Sequence, residues 1–153
     1  MLKHLYITLL LILALDFFVF SQDSSANLKT GWYYVNDNNK GYKMKLDKDS
    51  VQYFIDPSPI ITSKNIKSLA IYQATNGGKG ISMEFDNEGT AAWRLATGRS
   101  IGKYLAFILN NLVLYVPKVN SEITAGVAVL ERDIYLQKDL EKIKIAIEKG
   151  KLN

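Results

Sequence analysis

The sequence predicts an α+β fold in which helices cover one face of an antiparallel or mixed sheet. Short apolar and aromatic segments bounded by Gly, Asn and Pro indicate strands, and three segments with apolar residues at helical spacing indicate helices. These elements follow one another as strands, helix, strand, helix, three strands and helix, without a strict strand-helix alternation. We therefore predict a single domain over residues 31–153.

The domain begins with three predicted strands, GWYYV (31–35), YKMKL (42–46) and VQYFI (51–55). Between the first two, the Asn, Asp and Gly residues of NDNNKG favour a turn. The DPSP segment (56–59) is expected to end the third strand, because proline lacks the N–H group that a strand ladder uses.

A helix is predicted next, over residues 64–74, with Thr62 or Ser63 as its cap. Its apolar side would consist of Ile66, Leu69, Ala70 and Ile71. The glycines of NGGKG (76–80) end this helix.

ISMEF (81–85) alternates between apolar and polar residues, as a half-buried strand does. Asp86 or Asn87 can then cap a second helix, which frays near residues 98–102. The apolar residues of that helix are Ala91, Ala92, Trp93, Leu95 and Ala96.

The apolar run IGKYLAFILNNLVLYVPKV (101–119) is long enough to suggest a membrane segment. Two amides at the centre of such a segment would lack partners in lipid, whereas Asn110 and Asn111 tolerate the positive φ of a two-residue hairpin turn. We predict two buried strands within residues 104–117, covered on both faces. A further strand, GVAVLE (126–131), and a helix over residues 136–149 complete the domain; the apolar stripe of this helix is Leu136, Leu140, Ile143 and Ile147.

The N-terminal 21 residues have the features of a cleaved secretory signal peptide. Lys3 and His4 precede an apolar block, and Val19 and Ser21 occupy the −3 and −1 positions of a cleavage site before Gln22. An uncleaved membrane anchor is the alternative. Cleavage would leave residues 22–30 as a flexible lead-in and would place the protein in the periplasm or outside the cell.

Composition narrows the possible chemistry. The chain has no cysteine and one histidine, His4, which would leave with the signal peptide. Triads that use His or Cys and ordinary zinc sites are therefore excluded from the mature chain. The carboxylates Glu84, Asp86 and Glu88 lie close together in sequence, but we interpret them as structural. We predict no catalytic, metal or cofactor-binding residue and no cofactor, and scattered lysines with a net charge of +4 do not indicate nucleic-acid binding.

From Pro59 onward the sequence resembles the periplasmic head subdomain of SecD, the accessory subunit of the bacterial protein translocase. The order and spacing of several short motifs carry this resemblance. They are Pro59, Thr62, Asn65 and Ile66; Phe85, Asp86, Glu88 and Gly89; Trp93 and Thr97; the hairpin from Ala106 to Pro117; Ile123 and Gly126; and Gly150 and Leu152.

The resemblance implies a ferredoxin-like two-layer sandwich, with a mostly antiparallel sheet and helices packed on one face. It also implies contact with unfolded or partner protein chains. The membrane helices of SecD, which carry the charged residues of proton-driven export, are not matched, so the resemblance does not extend to that motor. Fold alone does not give function.

A partner peptide is expected to bind at the edge formed by the first two strands, where aromatic residues stand beside lysines. The candidate binding residues are Trp32, Tyr33, Tyr34, Tyr42, Lys43 and Lys45. The preferred function is thus a non-enzymatic protein-interaction domain. The alternatives are a small carboxylate-dependent hydrolase and a membrane-anchored accessory subunit of an envelope complex.

Overall fold

The computed structural model describes residues 27–75 and 77–152, and the predicted signal peptide lies outside them. The strands are β1 (Gly31–Val35), β2 (Tyr42–Lys45), β3 (Gln52–Thr62), β4 (Ile66–Gln73), β5 (Lys79–Phe85), β6 (Leu105–Leu109), β7 (Leu112–Tyr115) and β8 (Val127–Glu131). The helices are α1 (Asn87–Arg99) and α2 (Gln137–Gly150), and one 3-10 turn spans Ser63–Asn65. The predicted α+β class with mostly antiparallel pairing is confirmed, although the strands form two sheets where one was expected. No helix in the described part of the chain is both long and apolar enough to cross a membrane.

The first sheet, in the order β2-β3-β1-β6-β7, curls into a small barrel. Its two outer strands meet where Leu46 forms a parallel bridge with Val113. The Asp47 amide donates to the Val113 carbonyl at 2.8 Å and closes the curl. The interior is filled by a cluster of buried side chains, namely Leu28, Tyr33, Leu46, Ile55, Ala106, Ile108 and Val113.

The main core lies outside this barrel, where α1, α2 and the second sheet, β4-β5-β8, pack against it. Alternate residues of a strand face opposite sides, so Trp32 enters the main core while Tyr33 enters the barrel. All five residues of β6 are buried for the same reason. The predicted burial of the apolar hairpin is confirmed for β6 and for Val113 and Leu114 of β7, whereas Leu112, beside the turn, is exposed.

The helix predicted over residues 64–74 is wrong: a 3-10 turn is followed there by strand β4. A short apolar run fits either period, and here Leu69 and Ile71 face the core opposite Met83 and Ile81 of β5. The seven paired positions of the β4–β5 ladder decide the outcome. Gly77 and Gly78 consequently lie at a hairpin turn between β4 and β5 and not at a helix end.

The prediction that DPSP ends the third strand is also wrong, because β3 continues through it to Thr62. Strand β2 pairs with β3 only as far as Ile55, so Pro57 and Pro59 have no ladder partner from β2 to lose. On the other side, register shifts interrupt the β1–β3 pairing where Tyr33 faces Pro59.

The other predicted elements are confirmed. Asn110 and Asn111 form the hairpin turn with φ of 47° and 67°. The Asp86 carboxylate caps α1 by accepting from the Gly89 amide at 2.7 Å. Helix α2 buries Leu140, Ile143 and Ile147, whereas Leu136 lies at its N-cap and is exposed.

The predicted flexible lead-in is corrected for residues 28–30. Leu28 is buried in the barrel, and its amide donates to the Asn111 side chain at 3.2 Å. Thr30 is buried beside the same turn, and its Oγ1 accepts from the Asn110 amide at 3.3 Å. The polar turn therefore binds residues 28–30, which were expected to be flexible. Residues 22–26 lie outside the described residues.

Tyr33, which is buried in the barrel interior, is expected to make the free energy of unfolding depend on pH in the alkaline range. Burial raises the pKa of Tyr33 from 10.0 to about 12. The unfolded chain therefore loses this proton first, so the stability that Tyr33 contributes is present below pH 10 and is lost as pH rises toward 12. We expect denaturant unfolding between pH 9 and pH 11.5 to show a falling free energy of unfolding, with a shallower slope in Tyr33→Phe. An unchanged slope in the variant would contradict this account.

Candidate functional site

The structure separates the six predicted peptide-binding residues into two groups. Strand β1 lies at the centre of the five-stranded sheet, between β3 and β6, so the expectation that it forms an edge is wrong. Trp32 and Tyr33 are each 1% exposed, and Tyr34 packs against the main core. Consecutive aromatic residues here fill two cores and do not line an open edge.

Strand β2 does provide an edge. Tyr42 and Met44 pack on the barrel interior, while the side chains of Lys43 and Lys45 are exposed on the other face. Among the described residues, β3 is the strand that pairs with β2 over this stretch.

The direction of the β2 backbone follows from three hydrogen bonds. The Phe54 carbonyl accepts from Asn36 on the β1 side, and the Leu46 amide donates to Val51 of the β3 segment. The Asp47 amide points the opposite way, toward Val113. Because neighbouring residues of a strand alternate in direction, the backbone groups of Lys43 and Lys45 point away from β3. Beside Lys45 that side is occupied by Val113, which bridges to Leu46, so the open part of the edge lies at Lys43.

A cluster of polar residues that the sequence did not predict lies at the closure of the barrel, next to the end of β2. Arg132 donates to the carbonyl oxygens of Asp47 and Leu114 at 2.8 and 3.1 Å, and so joins β8 to the closure of the barrel. The Tyr135 hydroxyl donates to the Asp47 carboxylate at 2.9 Å. Burial, reinforced by this bond, raises the pKa of Tyr135. These residues are 85 and 88 positions apart from Asp47, so no local pattern could reveal the cluster.

The acidic residues near β5 have structural partners. Glu84 accepts from Lys67 at 2.9 Å and from Ser68 at 2.8 Å, and the Lys67 bond lowers the pKa of Glu84. Asp86 caps α1, as described above. In the ranges that the structure describes, no group of three or more His, Cys, Asp or Glu residues is arranged to hold a metal ion.

The family model of the SecDF P1 head subdomain matches residues 39–152, which include β2 and its free edge. This match covers most of the chain. The protein belongs to the SecDF P1 head subdomain family.

Relatives and solved structures agree with the assignment of this SecDF head. The SecD translocase subunit of Rhodothermus marinus is 39% identical over 46 residues, which are 30% of this chain and 7% of that protein. The SecD subunit of Acidaminococcus fermentans is 25% identical over 100 residues, which are 64% of this chain and 23% of that protein. The chain therefore spans less than a quarter of the length of either relative.

Two solved SecDF structures share the fold, each with a TM-score of 0.64 at 18% identity over 83% of this chain. The first is SecDF in its super-membrane-facing form, of which this chain covers 20%. The second, described as a membrane component that enhances protein export, is covered over 66% of its chain. At this identity the likeness shows the fold alone.

Several residues that carry the family resemblance hold helix α1 of the SecDF head against its neighbouring segments. Thr97 Oγ1 accepts from the Ile123 amide at 2.9 Å, and the Asn65 carbonyl accepts from the Asp86 amide at 2.9 Å. Gly126 lies against Thr90, where an added Cβ would be 2.2 Å from Oγ1. Thus these motif positions are explained by packing between helix α1 and its neighbouring segments.

Proposed function

We propose that this SecDF head contacts extended segments of exported proteins through the free edge of β2, without catalysing a reaction. The observation that carries the proposal is the outward direction of the Lys43 backbone at an edge inside the family match. An incoming strand would pair with these groups, and main-chain pairing gives affinity that tolerates many sequences. Tolerance of this kind suits a module that meets many different exported chains.

The lysine side chains indicate which types of residue a bound segment would place beside β2. Lys43 and Lys45 stand exposed on one face of β2, so acidic or polar residues of the partner would lie beside them. On the opposite face, Tyr42 and Met44 are half-buried at the rim of the barrel and offer apolar contact. The SecD relative of Acidaminococcus fermentans is a protein translocase subunit, and one of the solved SecDF structures is of a component that enhances protein export; both support a polypeptide as the partner.

The hydrolase alternative loses its support, because Glu84 and Asp86 are engaged by Lys67, Ser68 and the Gly89 amide. We propose a periplasmic or extracellular location after cleavage before Gln22, with the anchored form as the alternative. Protein purified from the native host should then begin at Gln22 on N-terminal sequencing. A full-length chain in the membrane fraction would favour the anchored form instead.

Peptide binding at the β2 edge is tested by removing the backbone N–H group of residue 43. Lys43→Pro removes the outward N–H, whereas Lys43→Ala removes the charge and keeps the N–H; an edge strand tolerates both. We expect an unfolded peptide to shift the amide resonances of residues 42–46, with affinity reduced about tenfold or more in Lys43→Pro and much less in Lys43→Ala. Equal affinity of the folded proline variant, or no shifts at millimolar peptide, would refute binding at this edge.

A further inference from the structure

Four lysines gather at the end of the molecule where the N-terminal segment, the 3-10 turn and the last turn of α2 meet. The Ser63 amide donates to the Thr30 carbonyl at 2.9 Å, and the Ser63 hydroxyl donates to the Gly150 carbonyl at 2.9 Å. Each of these three bonded residues has a lysine next to it in sequence. We call this group the lysine cluster, and its members are Lys29, Lys64, Lys149 and Lys151.

The charge of the lysine cluster is not balanced by carboxylates. None of its members takes part in an ion pair within the ranges that the structure describes. Two carboxylates beside the cluster have other partners: Glu148 accepts from Lys144 at 2.6 Å, and Glu84 accepts from Lys67 at 2.9 Å. Three of the four lysines are exposed, and Lys151 is half-buried. This end of the molecule therefore presents a concentrated positive charge to solvent.

The helix dipole explains only part of this arrangement. Cations are favourable near a helix C-terminus, which accounts for Lys149 and Lys151 at the end of α2. Lys29 and Lys64 belong to two other segments, which reach this place through the hydrogen bonds of Ser63. The tertiary structure thus adds two cations that α2 does not need for its own stability.

An exposed apolar side chain lies beside the lysine cluster. Leu152 is 88% exposed, and its amide donates to the Lys149 carbonyl at 3.2 Å. Proteins that lie on a bilayer combine cations, which face the lipid headgroups, with apolar side chains that enter the boundary of the acyl chains. Free phosphate would gain nothing from Leu152, so the combination favours a lipid surface.

The N-terminal chain leaves the domain at the same end. Leu28 and Thr30 are hydrogen-bonded to the hairpin turn, which fixes Asn27 beside the lysine cluster. The six residue steps from Asn27 back to Ser21, the last residue of the predicted signal peptide, span at most about 20 Å. While that apolar segment remains attached and lies in the membrane, the lysine cluster is within reach of the headgroups.

We propose that the lysine cluster binds the surface of a bilayer containing anionic phospholipid, with Leu152 at the boundary of the acyl chains. The lipid phosphates lie beside the ammonium groups, and each lysine raises the partition coefficient about fivefold. This contact turns the end that carries Ser63 and the hairpin turn toward the membrane. The lysine cluster shares no residue with the β2 edge, so either proposal can fail alone.

The test uses the chain from Gln22, in which both apolar cores are complete, and phosphatidylcholine vesicles with or without about 40% phosphatidylglycerol. In cosedimentation we expect binding to the anionic vesicles at about 50 mM salt and loss of most of it at about 500 mM salt. Pure phosphatidylcholine vesicles should bind none of the protein. Equal binding to the two kinds of vesicle, or no binding to the anionic vesicles, would overturn the proposal.

Two triple variants separate the position of the charge from the net charge. The partition coefficient on anionic vesicles should fall about a hundredfold when the cluster is neutralised by Lys29→Gln, Lys64→Gln and Lys149→Gln. The control removes three exposed lysines near the opposite end of β1 and β6 by Lys40→Gln, Lys103→Gln and Lys118→Gln. It has the same net charge and should stay within about threefold of the wild type. Equal losses in the two variants would overturn the lysine cluster as the site.

Two further measurements distinguish a bilayer from a soluble anion. Leu152→Ser should lower the partition coefficient about threefold, and an unchanged value would contradict entry of this side chain into the lipid. Titration of the ¹⁵N-labelled chain with inorganic phosphate should give no saturable shift of the amides of residues 29, 64 and 149 at millimolar concentration. Saturable shifts there would assign the site to a free anion and overturn the lipid proposal.

Discussion

Replacing Leu114 by aspartate is expected to unfold the domain, whereas the same change at Leu112 is expected to leave it folded. Both residues lie on β7, but Leu114 is 3% exposed in the main core and Leu112 is 44% exposed beside the hairpin turn. A carboxylate at position 114 would lose its water inside the main core, where the nearby Arg132 guanidinium is already bound to the carbonyl oxygens of Asp47 and Leu114. The expected cost is about 4 kcal/mol or more, a large part of the stability of an ordinary domain.

The pair is compared by thermal and denaturant unfolding followed by circular dichroism. Leu112→Asp should lie within about 1 kcal/mol of the wild type, because its side chain can stay in water. Since the two substitutions are chemically identical and two residues apart, their difference isolates burial. A folded Leu114→Asp with an unchanged melting temperature would place this strand at the surface and overturn the described core.

Adding one methyl group at Gly31 is expected to be nearly as damaging. A Cβ at this position would lie 2.1 Å from the Ile61 carbonyl oxygen, far inside van der Waals contact. The obstacle is backbone, so β1 and β3 would have to separate and their pairing at Gly31 and Thr62 would be disturbed. We expect Gly31→Ala to cost about 2–4 kcal/mol through this overpacking.

Gly98→Ala is the matched control for Gly31→Ala. Gly98 lies within α1, and an added Cβ would approach the flexible side chain of Glu122 at 3.3 Å. Alanine favours a helix over glycine by about 1 kcal/mol, so this variant should be neutral or slightly more stable. Similar unfolding free energies for the two variants would show that the β1–β3 contact is looser than described.

Segments with a distinct local signal were predicted correctly. ISMEF alternates strictly, Asp86 has the side chain that an N-cap needs, and Asn110 and Asn111 tolerate positive φ; each became the predicted element. Residues 66–73 carry apolar side chains at spacings that suit helix and strand alike, and the prediction there failed. The correct predictions concern conformations that interactions within a few residues determine. The conformation of residues 66–73 depends on pairing with β5, which the local sequence does not show.

The candidate site shows the same limit. The lysines of β2 could be predicted as an exposed edge, because alternation with Tyr42 and Met44 is visible in the sequence. That Trp32 and Tyr33 would be buried on opposite sides of a central strand depends on β3 and β6, which pair with β1 from distant parts of the chain. Nothing near GWYYV in the sequence reveals those neighbours.

Local patterns in the sequence establish the α+β class, the positions of the apolar hairpin and the two helices, and the resemblance to the family. Tertiary contacts alone decide the strand order and the closure of the barrel at Leu46 and Val113. They also decide which polar atoms lack a partner in the part of the chain that the structure describes, such as Trp32 Nε1. Turns, caps and periodicity depend on interactions within a few residues and can be read locally. Strand pairing and hydrogen-bond satisfaction depend on contacts such as Arg132 to Asp47, 85 residues apart, which exist only after the chain has folded.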